Sequence, residues 1–164
     1  MGAGPDAREW ARSAERSVYD DDFNGTSLDP KWNWYNSPAS SDVGTTRPGY
    51  LHMVTRRNTN FSGPSDSGAM LYQNISGSCS IETKISANPQ TNYEKAGIMI
   101  RQNENNWVAL KYQAEDGVQV ELSTKVSGSI VGRELTAITA NPVWLRLERV
   151  SSSFTTYYST DGVS

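Results

Sequence analysis

The chain from Val18 onward consists of short β-rich runs, each followed by turn-forming residues. None of these runs repeats apolar residues with the 3.6-residue period of a helix, and several alternate apolar and polar residues. About eleven strands at roughly ten-residue spacing predict an all-β fold, an antiparallel sandwich or barrel. The predicted runs are 18–23, 31–35, 50–56, 68–75, 78–87, 95–102, 106–113, 117–126, 129–137, 142–151 and 153–159.

Residues 1–17 precede this pattern and have a different composition. Trp10, Ala14 and Val18 recur at four-residue spacing, which is the narrow apolar stripe of a short helix. A helix of this length is marginally stable on its own. We therefore interpret 1–17 as a tag, a linker or a short N-terminal helix, and 18–164 as one β-sandwich domain.

Alternation assigns the side chains of the later runs to two faces. One face is apolar and forms the predicted core: Ile98, Ile100, Val108, Leu110, Tyr112, Val118, Val120, Leu122, Val143, Leu145, Leu147, Phe154 and Tyr158. The opposite face is polar, and we expect it to face solvent. It nevertheless carries Trp107, Trp144 and Tyr157. Aromatic rings on an exposed polar face indicate a binding surface.

The residue counts exclude several classes of function. His52 and Cys79 are the single His and Cys in 164 residues, so His/Cys-ligated zinc, iron-sulfur and haem sites and a disulfide framework are excluded. We interpret His52 as a structural residue and Cys79 as a small core side chain. The formal charge of -3 argues against a nucleic-acid partner. No run of 18 apolar residues occurs, so no membrane span is expected.

Carboxylates offer two weaker possibilities. The carboxylates of Glu121, Glu148 and Glu82 lie on predicted outward faces. Two of them could approach each other across a sheet and form the catalytic pair of a small glycosidase. However, the Glu-x-Asp-x-x-Glu spacing of sandwich glucanases is absent. Asp20 and Asp22, in an acidic triplet, are candidate ligands of a structural Ca²⁺, since this ion prefers oxygen ligands. No other cofactor is expected, because Walker and dinucleotide-binding loops are absent.

Carbohydrate is the ligand that best suits the predicted polar face. A pyranose presents a face of C–H groups that stacks on Trp or Tyr, and its hydroxyls pair with charged and amide side chains. The predicted ligand-binding residues are Trp107, Trp144, Tyr157, Arg101, Lys111, Glu121 and Arg146. The alternative is that a neighbouring domain covers these rings.

Several segments carry a family resemblance. The stretch from Val18 to Tyr35 (VYDDDFNGTSLDPKWNWY), followed by TRPGYLH at 46–52, resembles the opening of the concanavalin A-like β-sandwich appended to glycoside hydrolase family 43 enzymes. The segments at 58–61, 93–101, 105–110 and 144–147 resemble related secreted sandwich domains of unknown function. The resemblance implies an antiparallel two-sheet jelly roll, concanavalin A-like or laminin G-like, over 18–164.

The resemblance also implies a function. Such domains are non-catalytic modules that bind polysaccharide or buttress a neighbouring catalytic domain of a larger protein. We therefore expect a carbohydrate-binding or accessory module of an extracellular protein, although the chain opens without a secretory signal. Abundant Ser, Thr, Asn and Gly also favour an extracellular location. The segment 158–164 resembles a hairpin turn that leads into a Trp-bearing strand in relatives, which leaves open whether the last strand is present.

Overall fold

A computed structural model describes residues 17–61 and 66–163. Residues 1–16, and with them most of the predicted tag, linker or helix, lie outside the described residues. Within the described ranges the chain forms eleven strands. They are β1 (Asn33–Tyr35), β2 (Ser40–Val43), β3 (Leu51–Val54), β4 (Met70–Tyr72), β5 (Cys79–Ile85), β6 (Lys95–Asn103), β7 (Asn106–Ala114), β8 (Val118–Val126), β9 (Ser129–Ala137), β10 (Val143–Val150) and β11 (Ser153–Ser159). In these ranges no helix is long and apolar enough to cross a membrane.

The described strands belong to two compact units, one within residues 15–75 and one within 76–164. In the first unit, β1 pairs with β4 and β2 pairs with β3, both antiparallel. In the second unit, β6, β7, β8 and β9 form a four-stranded antiparallel sheet in that order, and β11, β10 and β5 form a three-stranded one. The all-β class and the antiparallel strand pairing expected from the sequence are confirmed for the described residues.

A hydrophobic core joins the two sheets of the second unit. Every other residue of β10 points into it, and Val143, Leu145 and Leu147 are completely inaccessible to solvent. They pack against the alternating apolar residues of the four-stranded sheet, namely Ile98, Val108, Leu110, Tyr112 and Val120. Alternation alone predicted this face, because the two-residue period of a strand is a local property. Phe154 is an exception, since 42% of it is exposed at the start of β11.

The predicted strand over 18–23 is wrong. The three aspartates there accept hydrogen bonds from nearby backbone N–H groups: Asp20 from Ser17 (2.8 Å), Asp21 from Phe23 (2.8 Å) and Asp22 from Asn24 (3.2 Å). Such local bonds compete with pairing between strands. β2 was not predicted, because its polar Ser-Ser-Asp-Val segment is a strand only through its pairing with β3.

Candidate functional site

The seven predicted ligand-binding residues lie on two different surfaces. Arg101, Trp107, Lys111 and Glu121 lie on the outer face of the four-stranded sheet, whereas Trp144, Arg146 and Tyr157 lie on the outer face of the three-stranded sheet. The two sheets pack together through their inner faces, so the two outer faces point away from each other. The expectation of one shared surface is therefore wrong.

The outer face of the four-stranded sheet is buried at its central strands. Only 4% of Trp107 and 2% of Glu121 are exposed, so the expectation that this face is open to solvent is wrong for β7 and β8. The ammonium groups of Lys111 and Lys125 lie 5.7 and 6.0 Å from the centre of the Trp107 ring. The indole Nε1 of Trp107 is buried without a hydrogen-bond partner. Its ring is therefore packed among charged side chains and is not a free stacking surface.

Glu121 lies at the centre of a buried cluster of charges. Its Oε2 accepts hydrogen bonds from Lys95 (3.0 Å) and Arg133 (3.1 Å), and its Oε1 accepts one from Lys111. Burial raises the pKa of Glu121, but the hydrogen bonds and charges of Lys111 and Lys95 outweigh burial and lower the pKa to about 2. Glu121 is therefore ionised in the folded protein and engaged with three cations, so it is not available as a sugar ligand or as an acid catalyst.

Gly97 on β6 allows this cluster to pack. A Cβ atom at this position would lie 2.3 Å from the Leu110 carbonyl oxygen and 2.8 Å from Cγ of Lys111. No side chain fits at such distances, so the stem of Lys111 occupies the space above Gly97 and its ammonium group reaches Glu121 and Ser123. Gly97 thus leaves room for the Lys111 side chain of this cluster.

The outer face of the three-stranded sheet is accessible. Trp144, Arg146 and Tyr157 are half-buried, and side-chain exposure is 21% for Arg146 and 24% for Glu148. Arg146 lies opposite Tyr157 on β11 and opposite Glu82 on β5, and it forms an ion pair with Glu148. We call the surface formed by Glu82, Lys84, Trp144, Arg146, Glu148 and Tyr157 the β10 face.

Neighbouring strands flank the Trp144 ring on this face. Lys84 of β5 places its ammonium group 4.7 Å from the ring centre. From the β11 side, Gly162 lies so close that a Cβ there would be 2.8 Å from Cε2 of Trp144. Ser159 holds this turn, since its hydroxyl accepts hydrogen bonds from the N–H groups of Asp161 (3.3 Å) and Gly162 (2.8 Å). Gly162 and Lys84 thus flank the Trp144 ring, and the Lys84 side chain covers part of it.

The predicted pairing of Glu121 with Glu148 is wrong, because these carboxylates lie on opposite outer faces of the sandwich. Glu82 and Glu148 do share the β10 face, on adjacent strands. Burial raises the pKa of Glu82, and the nearby Arg146 opposes this shift. Glu148 is held by Arg146. Both carboxylates lie on an open sheet face, where Arg146 is engaged with Glu148 and its charge acts on Glu82.

The other predicted residues have local roles. Asp20 and Asp22 accept the backbone hydrogen bonds described above, and no three His, Cys, Asp or Glu side chains form a possible metal site in the described part of the chain. Asp42 accepts hydrogen bonds from the backbone N–H and hydroxyl of Thr46, which lower the pKa of Asp42, and it lies 3.1 Å from Nδ1 of His52. Cys79 lies on the same face of β5 as Ile81 and Ile85 but is only half-buried, so it is less buried than the core side chain that we predicted.

Three residues of these two surfaces were not predicted from the sequence. Lys84 belongs to the β10 face, and Lys95 and Arg133 belong to the charged cluster. Alternation within each strand predicts the face on which each of these residues lies. Which residues lie next to them depends on which strands pair and in which register. In the three-stranded sheet β10 is central and lies beside β5, which is about sixty residues away in sequence.

Comparisons with known proteins agree with this architecture. The family model of the β-xylosidase C-terminal concanavalin A-like domain matches residues 20–164. A crystal structure of a mutant of the GH43 protein BlXynB from Bacillus licheniformis is similar at 22% identity with a TM-score of 0.70, over 90% of this chain and 30% of that chain. The GH43 BlXynB protein from the same organism gives 23% identity and a TM-score of 0.70, over 87% of this chain and 28% of that chain.

These two similarities concern the fold, because identity is low. The chain spans less than a third of the length of these solved structures. No curated protein sequence gives a significant match to the chain.

Proposed function

The chain belongs to the family of β-xylosidase C-terminal concanavalin A-like domains, and from this membership we propose that it is a non-catalytic accessory module of an extracellular glycoside hydrolase and that it binds carbohydrate. The observation that carries the proposal is the β10 face, where two half-exposed aromatic rings flank a guanidinium group and carboxylates on an open sheet surface. This combination suits the C–H face and the hydroxyl groups of a sugar.

The geometry of the rings favours an oligosaccharide over a single sugar. Trp144 pairs with Ser159, and Arg146 pairs with Tyr157, so Trp144 and Tyr157 are diagonal neighbours on adjacent strands. Diagonal neighbours lie roughly 7–8 Å apart at Cα, with side-chain positions still within mutual reach. Two rings at this spacing can contact successive sugar units. The Arg146 guanidinium lies 5.8 Å from the centre of the Tyr157 ring and is paired with Glu148, so it would donate hydrogen bonds to sugar hydroxyls at the Tyr157 end.

The charges of the β10 face favour a neutral glycan. Two cations, Lys84 and Arg146, are balanced by two carboxylates, Glu82 and Glu148. The two carboxylates would repel a glycan rich in uronic acids, and the face has no excess positive charge to offset that repulsion. Given the family, we propose xylan-type oligosaccharides as the first ligands to test.

The experiment is titration calorimetry of the 164-residue chain with xylo-oligosaccharides, supported by affinity electrophoresis in xylan, arabinan, β-glucan and chitin. We expect binding to a neutral glycan, and we expect Trp144→Ala to weaken it at least tenfold because the stacking surface is lost. Phe154→Ala is the matched control, because Phe154 is an exposed aromatic residue of β11 whose position in the strand alternation is opposite to that of Tyr157. Absence of binding to every glycan by well-folded protein would contradict the proposal.

A second candidate function is docking onto a neighbouring domain of the same protein. The observation that favours it is the edge strand β9, where Ile130, Val131 and Leu135 are 42%, 64% and 43% exposed. Exposed apolar residues on a sheet edge are typical of an interaction surface. In this alternative Val131→Lys with Leu135→Lys weakens association with the remainder of the parent protein and leaves glycan binding unchanged. The Trp144→Ala variant is expected to give the opposite result.

A further inference from the structure

The Trp144 ring on the β10 face is covered by two neighbours from this chain. In the three-stranded sheet β10 lies between β5 and β11. Lys84 reaches the ring from β5, where it pairs with Trp144 in the register of the two strands, and its ammonium group lies over the ring at 4.7 Å from the centre. Gly162, which follows β11, lies against the same ring. A sugar that stacks on Trp144 must therefore replace one of these two neighbours.

Gly162 closes one face of the ring. A Cβ atom there would lie 2.8 Å from Cε2, 2.9 Å from Cζ2 and 3.2 Å from Nε1 of Trp144. An approach from the ring edge would bring that atom closer to Cζ2 and Nε1 than to Cε2, which lies between them, so the observed order indicates an approach onto the ring face. The N–H groups of Gly162 and Val163 donate to Ser159 and Asp161, both at 2.8 Å. A ligand would have to break these bonds to reach this face.

Lys84, in contrast, is a cover that a ligand can displace. Because β5 and β11 flank β10 on opposite sides, Lys84 approaches the ring from the side away from Gly162. Its side chain is exposed, and a cation–π contact at an exposed site is weak. The cation beside the second ring differs, since Arg146, 5.8 Å from the centre of the Tyr157 ring, is also held in an ion pair with Glu148.

From this arrangement we propose that Lys84 is a specificity-determining residue of the β10 face, which occupies the stacking position on Trp144 in the free protein and is displaced by the sugar unit that binds there. This inference rests on the carbohydrate-binding function proposed above. Displacement costs the contact between the lysine and the ring. A pyranose compensates for this loss because its C–H face covers the ring, whereas a small open-chain polyol such as glycerol has no such face and leaves Lys84 in place.

The first test is titration calorimetry of the 164-residue chain and its Lys84 variants with xylohexaose. Lys84→Ala uncovers the ring, so we expect it to bind about two- to fivefold more tightly than the parent chain, the range that corresponds to one exposed cation–π contact. Lys84→Arg keeps a cation that stacks on aromatic rings and should bind no more tightly than the parent chain. Arg57→Ala, which removes an exposed cation from the first unit, is the control and should not change affinity.

The second test detects the cover directly by NMR of the ¹³C-labelled chain. Protons that lie over an aromatic ring are shifted upfield, so we expect upfield signals from the end of the Lys84 side chain in the free protein. Trp144→Ala should abolish this shift. Xylohexaose should return the Lys84 signals towards ordinary positions, and glycerol should leave them unchanged.

The outcomes separate this inference from the function on which it rests. If Lys84→Ala binds xylohexaose like the parent chain or more weakly, or if Lys84 shows ordinary signals in the free protein, the displaceable cover is refuted, while glycan binding by the parent chain still supports the proposed function. If Lys84→Ala binds and the parent chain does not, both proposals are supported. If neither chain binds any of the glycans named above, the proposed function fails and the role of Lys84 fails with it.

Discussion

Replacing Glu121 by Gln tests whether the buried charged cluster stabilises the sandwich. The substitution keeps the size of the side chain and removes the negative charge that Lys95, Lys111 and Arg133 surround. Glu121 is almost fully buried, and Lys111, with a side chain only 13% exposed, is the cation that solvent can compensate least for this loss. We expect the free energy of unfolding to fall substantially at neutral pH.

The pKa of Glu121 sets the magnitude. It lies at about 2 in the folded protein against an ordinary value of 4.5. At about 1.4 kcal/mol per pH unit, the ionised form stabilises the folded state by about 3 kcal/mol. Breaking a buried ion pair by removing one partner costs 3–5 kcal/mol in other proteins, roughly the same amount. Since the folded pKa is the lower one, this stabilisation is present above pH 4.5 and is lost as the pH falls towards 2.

The assay is equilibrium urea unfolding, followed by circular dichroism and tryptophan fluorescence, of the parent chain and Glu121→Gln between pH 2 and pH 7. We expect a difference of about 3 kcal/mol at pH 7 that shrinks below pH 4.5 and nearly vanishes at pH 2. Glu134→Gln is the control, because Glu134 is exposed on neighbouring β9, and it should change stability by less than about 0.5 kcal/mol. A difference that is absent at pH 7, or constant from pH 2 to 7, would refute the reasoning.

Three further predictions concern the core, the sheet and the half-buried carboxylate of Asp42. Leu145→Ala, at a fully buried position, should cost about 2–5 kcal/mol in urea unfolding, whereas exposed Val150→Ala should cost less than about 0.5 kcal/mol; equal effects would contradict the assigned core. Gly97→Ala should lower the melting temperature and broaden the NMR signals of β6 and β7, because its Cβ would overlap the backbone of β7; an unchanged melting temperature would exclude this close contact. Thr46→Val removes one of the hydrogen bonds that lower the pKa of Asp42, so carbon NMR should detect a higher Asp42 pKa. An unchanged pKa would show that the Thr46 hydroxyl does not contribute to the shift.

The second half of the fold was predictable in detail from local pattern. The predicted runs from 95 to 159 agree with β6–β11 to within one residue at each end, and the core residues of β7, β8 and β10 carry the expected parity. The first half was less predictable. β2 has little intrinsic preference for a strand and depends on β3 for its hydrogen bonds, while the apolar and aromatic residues of 18–23 are separated by aspartates that bond to the local backbone.

The candidate site was predictable in its residue types and not in its geometry. Trp107 and Trp144 follow the same alternation rule in their strands, yet one is buried beside charged side chains and the other is half-exposed. Nothing in either strand distinguishes the two. The polar residues around Trp107 were interpreted as solvent-facing because charged side chains usually are, but Lys125 and Glu121 are among the most completely buried side chains described.

The sequence alone therefore determines the strands from β6 to β11 and the inner apolar face of that half, because the period of a strand depends on neighbours along the chain. The tertiary structure decides which outer face is open, which carboxylates meet and which cations surround Glu121. Those properties depend on strand order and register, which join residues far apart in sequence, such as Lys95 with Glu121 and Lys84 with Trp144. A period of two residues assigns a side chain to a face of its strand, and only packing determines whether that face is accessible.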